Sequence, residues 1–156
     1  MKLNEKQRHL IDRALNLLQD QLREEGERPD IDGSSNALAY LRPLIGPRVY
    51  ETAVVLFLDA HYKLVGKLEV PGDVDNTSLP ARPIIHAAIE NCARFLVLAH
   101  NHPSGDPTPS KADILATKTV AEAAELFGMD VLDHFVIGRA PGFPACSIAK
   151  GREVQK

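Results

Sequence analysis

From Asn4 to about Glu25 the apolar residues Leu10, Ile11, Ala14, Leu15, Leu18 and Leu22 recur three and four positions apart, which predicts a helix with one apolar stripe. That stripe has to dock, either on the same domain or on a second copy of the chain. Glu24 to Asp30 mixes charge with Gly26 and Pro29, and Asp32-Gly33-Ser34-Ser35 continues it, so a loop separates this helix from the rest of the chain. The expected organisation is an N-terminal helix and loop over residues 1–33 and a main domain over 34–156. Ser34 or Ser35 can cap a short helix carrying Leu38, Leu41 and Leu44, which Gly46-Pro47 ends.

The pattern then changes period. Thr52 to Leu58 is a nearly continuous run of β-branched and other apolar residues, and Tyr62 to Val70 resumes after Asp59-Ala60-His61, which predicts a hairpin. Pro71-Gly72-Asp73 ends the second strand, and a polar segment with Asn76, Thr77 and Ser78 precedes a helix from about Arg82 to Asn91 with Ile85, Ala88 and Ile89 inward. Arg94 to Ala99 reads as a third strand, apolar from Phe95 onward and therefore central and covered on both faces. After a proline-rich loop, Ser110 opens a helix to about Phe127, with Ile114, Val120, Ala121, Ala124 and the methyl of Thr117 on its buried stripe and Gly128 as its stop. Asp130 to Ile137 is a further strand, and Cys146 to Ile148 a short last one.

Composition narrows the class without naming an activity. With 156 residues, 44% apolar and 25% charged, the chain can bury roughly two-thirds of its unfolded surface and needs no disulfide framework. Cys92 and Cys146 therefore read as free thiols, with burial the default for Cys92. No apolar run approaches the roughly 20 residues of a membrane span, and the charged stretch after Met1 is no secretion signal, so a cytoplasmic location is expected. Lys+Arg 18 against Asp+Glu 21 gives a net charge of −3, which argues against broad attraction to nucleic-acid phosphates.

The candidate chemistry lies at the end of the third strand. In extended backbone, residues two apart share a face, so His100 and His102 can converge on one ion, and Asp113, one turn into the next helix, can return a hard oxygen to it. Two imidazoles and one carboxylate leave a fourth tetrahedral position for water, the arrangement of a catalytic zinc site. Pro103, Pro107, Pro109 and Gly105 restrict the intervening loop and lower the entropy lost on gathering the ligands. The competing reading is a plain strand-to-helix connection in which Ser110 caps the helix and Asp113 completes a capping box, and Asp113 cannot fully serve both.

His-x-His-Pro, six residues, then Ser-x-x-Asp, as it stands from His100 to Asp113, resembles the signature of the JAMM, or MPN-plus, metalloproteases. His100-Asn101-His102-Pro103-Ser104-Gly105-Asp106-Pro107, with Leu56-Phe57-Leu58-Asp59 and Val131-Leu132-Asp133-His134, is similar to the RadC branch, over about Ser35 to Gly138. The resemblance implies an α/β fold, a mixed central sheet flanked by helices in the cytidine-deaminase-like style of JAB/MPN domains, here with an N-terminal helical extension. It further implies Zn2+ held by His100, His102 and Asp113, a serine, Ser110, that steadies the oxyanion, and an upstream glutamate that handles protons. The implied substrate is a peptide or isopeptide-linked protein, cut at an amide bond. The DNA-repair name of RadC proteins adds nucleic acid as an alternative partner, and a metal-binding interaction domain with weak catalysis is a third reading.

Glu69 is the leading candidate for the proton-handling carboxylate. Its register is imperfect: family spacing counted back from His100 falls nearer Lys67 or Leu68, so a bulge or shortened loop has to turn Glu69 toward the site. Glu51 and Glu90 are the alternatives. His9 and His61 read as solvated and His86 as a helix-face residue. Asp133 and His134 point to opposite faces of a strand and so do not pair by side chains, and His134 resembles a RadC histidine able to support the site from behind. Asn101 points away from the metal if its neighbours point toward it.

Overall fold

The computed structural model describes residues 28–71, 79–149 and 152–153. The expected helix with the Leu10 to Leu22 stripe and the polar segment at Asn76, Thr77 and Ser78 lie outside the described residues. The first described residues run along the hairpin: Asp30 bridges Lys63, and Ile31, only 2% exposed, is part of the core.

Helix α1 spans Ser34–Ile45 and buries Ala37, Leu38, Leu41 and Ile45. Strands β1, Thr52–Leu58, and β2, Leu64–Pro71, form the expected hairpin, in which the Asp59 side chain accepts the backbone N–H groups of His61 and Lys63 at 2.8 and 3.0 Å and so makes the turn. Helix α2, Ala81–Glu90, leads to β3, Phe95–His102; helix α3, Lys111–Glu125, leads to β4, Asp130–Gly138; β5, Ala145–Ser147, and the short β6, Arg152–Glu153, come last.

The six strands are ordered β2-β1-β3-β4-β5-β6. β3 is antiparallel to β1 and parallel to β4, and the other pairs are antiparallel, so the sheet is mixed with β3 inside it. The near-unbroken apolar runs of β1 and β3 result from this position, since each of these strands feeds two cores. On one face, Val54, Leu56, Leu58, Val97, Ala99, Phe135 and Ile137 pack under α1. On the other, Ala53, Val55, Phe57, Leu96 and Leu98 pack against α2 and α3 through Ile84, Ile85, Ala88, Val120 and Ala124.

Of the helices on the second face, α2 buries a shifted stripe and α3 a narrower one than their periodicity predicts. In α2 it is Ile84 that is buried with Ile85 and Ala88, while Ile89 is 51% exposed. In α3, Ile114 is 52% exposed because the first turn gives its inward position to Asp113, and Ala121 is half-buried. Cys92, expected to be buried, stands exposed in the turn after α2 at a positive φ of 51°.

The end of β3 is locked to its neighbours. The His102 carbonyl accepts the N–H groups of Gly105 and Arg139 at 3.1 and 3.0 Å, which brings the proline-rich loop over the end of β4. There a side chain at Gly138 would run into the Gly105 carbonyl, a backbone atom with no rotamer to yield. Gly138→Ala is expected to lower the unfolding free energy by about 1–3 kcal/mol through this overpacking. Urea denaturation checks it, and a midpoint equal to that of the wild type would show that the loop gives way freely.

Candidate metal centre and active site

β3 carries its alternation past the apolar core into polar residues. His100 continues the row of Leu96 and Leu98 and so faces α3, as does His102, while Asn101 turns to the α1 face. His100 is 1% and Asn101 0% exposed, which obliges each to find partners. Asn101 finds three: its carboxamide oxygen accepts the Thr52 N–H at 2.8 Å, and its amino group donates to the carbonyls of Tyr50 and Arg48 at 3.1 and 3.2 Å. These bonds grip the chain on both sides of Glu51 and hold that residue beside the histidines.

Helix α3 presents Asp113 to the same place. Ser110 caps the helix by accepting the Asp113 N–H at 3.1 Å, and Oδ2 of Asp113 accepts the Ser110 N–H at 2.7 Å, so the capping box forms. The two roles foreseen as competing are divided within one carboxylate. Oδ1 lies 3.5 Å from Nε2 of His100, and Oδ2, while capping, remains 3.8 Å from Nε2 of His102. Burial alone would raise this carboxyl, but a protonated His100, through its hydrogen bond and its charge, and the hydrogen bond from Ser110 overcome it and hold the group well below the usual carboxylate range.

The ring nitrogens limit what these groups can bind. Nδ1 of His102 lies 2.8 Å from the Asp106 carbonyl, which can only accept, so Nδ1 carries a proton and Nε2 is the nitrogen that a neutral ring would offer to a cation. The two Nε2 atoms of His100 and His102 stand 3.0 Å apart. In a tetrahedral zinc site with bonds of about 2.0–2.1 Å, ligand atoms lie about 3.3–3.4 Å from one another. The 3.0 Å between the two Nε2 atoms, and the 3.5 and 3.8 Å from them to Oδ1 and Oδ2 of Asp113, are close to that value, so both rings and one Asp113 oxygen lie within reach of one small divalent cation. Glu51 belongs to the same group: one of its carboxylate oxygens and the ligating nitrogens of His100 and His102 all lie within 4.8 Å of one another.

Glu69 is placed elsewhere. It pairs with Val54 in a register that runs unbroken from Thr52↔Pro71 to Phe57↔Gly66, and the one irregularity comes at Phe57/Leu58, beyond it. Val54 faces the α1 core, whereas Leu68 and Val70 on either side of Glu69 face the other. Glu69 therefore lies on the sheet face opposite His100, where it accepts from Arg48 at 2.9 Å and sits 3.4 Å from Lys67. The Arg48 hydrogen bond lowers its pKa. The expected bulge that would turn it to the histidines is absent, and the carboxylate beside them is Glu51. The signal for Glu51 was its place one residue before β1, a strand that runs antiparallel to β3 and so brings Ala53 opposite His100. Glu90 is at the end of α2, 3.4 Å from His86.

Behind His100, Nδ1 lies 2.7 Å from Nε2 of His134, whose Nδ1 is 2.6 Å from the Thr117 hydroxyl. Asp133 turns to the opposite face, as expected, and accepts from the Ser147 hydroxyl and from the backbone N–H of His134. Burial, followed by the charge of His100, pushes the His134 ring down to about 3 from 6.5. The unfolded chain thus binds a proton between those values that the folded chain refuses. The contribution of this group is complete above pH 6.5 and is lost as the pH falls toward 3, at up to about 1.4 kcal/mol per pH unit. Unfolding free energies measured from pH 7 to pH 4 in the absence of metal are expected to fall more steeply for the wild type than for His134→Gln, and parallel curves would refute this.

The comparisons with known proteins agree with the geometry. A family model described as RadC-like JAB domain matches residues 31–152. A UPF0758 protein of Burkholderia mallei is 40% identical over 118 residues, 75% of this chain and 42% of the relative, and one of Burkholderia pseudomallei matches to the same extent. A UPF0758 protein of Rhodobacter capsulatus is 40% identical over 114 residues, 72% of this chain and 53% of its own length, so the chain spans about half the length of the curated relatives it matches. With the mixed sheet, the paired histidines and the capped helix at their expected positions, the chain belongs to the RadC-like JAB domain family.

Proposed function

We propose that this domain is a zinc-dependent hydrolase of the JAMM type that cleaves an amide or isopeptide bond. The observation that carries the proposal is a pair of histidine Nε2 atoms 3.0 Å apart with the Asp113 carboxylate 3.5 Å from one of them and the Glu51 carboxylate within 4.8 Å of both rings. His100, His102 and Asp113 would hold the cation. Zinc so held supplies Lewis acidity, which polarises a carbonyl and makes water acidic near pH 7.

The side chains around it divide the remaining work. Glu51, fixed through the Asn101 bonds to its neighbours, takes the proton from the attacking water and hands it to the departing amine. The Ser110 oxygen accepts the Asp113 N–H, which leaves its O–H free to donate to the oxyanion as it develops. A polypeptide substrate is favoured by the surface beside the centre. Val49 and Tyr50, 55% and 74% exposed, adjoin Glu51, and Ile114 and Leu115, 52% and 65% exposed, adjoin Asp113, offering apolar contacts that a phosphate backbone does not use.

Purified protein is expected to hold about one zinc per chain by elemental analysis. Screened against peptides and isopeptide-linked proteins, Glu51→Gln should retain the zinc and lose at least about a hundredfold in cleavage rate, whereas Glu69→Gln should cleave as the wild type does. Full activity in Glu51→Gln would reject its role. A zinc-loaded wild type that cuts nothing in the screen would leave a metal-binding domain without hydrolysis.

A further inference from the structure

Three hydrogen bonds run from the main chain of one proposed metal ligand to the ring of another. The Thr117 hydroxyl lies 2.6 Å from the Asp113 carbonyl and 2.6 Å from Nδ1 of His134, and Nε2 of His134 lies 2.7 Å from Nδ1 of His100. We propose that Thr117 and His134 are positioning residues that order the protons along this chain, so that His100 is held in the tautomer with Nδ1–H and a bare Nε2 aimed at the cation site. The proposal rests on the metal-binding reading above for its purpose, but the proton order comes from the bonds themselves.

A carbonyl oxygen only accepts, so the single hydroxyl proton of Thr117 goes to Asp113. Thr117 can then only accept from His134, which puts the His134 proton on Nδ1. A neutral imidazole has one N–H, so Nε2 of His134 is bare and accepts from Nδ1–H of His100. The same count applied to a neutral His100 ring leaves its Nε2 without a proton, 3.0 Å from Nε2 of His102 and 3.5 Å from Oδ1 of Asp113. His134 is 1% exposed, and the neighbouring Asp133 carboxylate is engaged with Ser147 on the far face of the sheet, so among the described residues no carboxylate hydrogen-bonds the ring. Reversing the proton order would require Thr117 to give up its bond to Asp113 and would put a hydrogen where the cation binds.

A histidine ligand more commonly gives its second N–H to a carboxylate or carbonyl. Here a neutral ring takes that place, and the direction of its own dipole is set by a threonine on the helix that supplies Asp113. The first two turns of α3 therefore fix both the Asp113 carboxylate and, through Thr117, the tautomer of His100.

Long-range ¹H–¹⁵N NMR of the histidine rings in zinc-free protein reads the tautomers directly, and competition with a chelator reads zinc affinity. The wild type is expected to show His100 and His134 both protonated at Nδ1. Thr117→Val, of equal shape, and His134→Phe are expected to mix or reverse the His100 tautomer and weaken zinc binding by about 10–100-fold. Thr117→Ser restores the hydroxyl, and His134→Gln offers an oxygen to His100 and an N–H to Thr117, so both should bind within a few-fold of the wild type. Wild-type His100 protonated at Nε2, or a Thr117→Val protein with unaltered tautomer and zinc affinity, would overturn the proposal. A wild type with the expected tautomers that binds no zinc would sustain the ordered chain and refute the metal reading, so the two failures are distinguishable.

Discussion

The burial of polar side chains at the end of a central strand is the constraint on which the rest depends. A strand covered on both faces can end in His100 and Asn101 only if every polar atom finds a partner, because an unpaired buried donor or acceptor costs about 1–3 kcal/mol. Among the described residues every buried side-chain nitrogen or oxygen has a polar atom within hydrogen-bonding distance. Satisfying Asn101 requires the entry to β1, and satisfying His100 requires β4 and α3. The hydrogen bonds that make this burial tolerable are therefore also the ones that assemble the site.

Sheet parity decides which carboxylate takes part. β1 and β2 are paired without a slip over six residues, so the face of each residue is dictated by its neighbour, and Glu69 shares the face of Val54 and Ala99. A one-residue change of register would exchange the faces, but it would also put Leu68 and Val70 on the wrong side of the sheet, at the expense of their contacts with the α2 and α3 core. Glu51 escapes this rule because it precedes the strand and is placed by the Asn101 clamp.

Asp113 shows how one side chain reconciles folding with chemistry. Its carboxylate caps α3 through Oδ2 and faces His100 through Oδ1, while its main-chain carbonyl anchors Thr117. The first turn of this helix gives up apolar burial in return, which leaves Ile114 and Leu115 at the surface beside the centre. The proline-rich loop before it is held down by His102 and by the close approach of Gly105 to Gly138.

The sequence by itself determined much: the strand and helix order of the described residues, the apolar runs of β1 and β3, and the nearness of His100, His102 and Asp113 with Ser110 capping the helix, because alternation and helical spacing are local properties of the chain. The capping box was equally legible, as was the turning of Asn101 away from its neighbours. Only the tertiary structure decided that Glu51 and not Glu69 joins the histidines, since which strand lies beside which, and in what register, is a long-range outcome of packing. The same holds for Ile84 replacing Ile89 in the core and for the Thr117–His134 chain, whose members are 17 residues apart and meet only because α3 lies across β4.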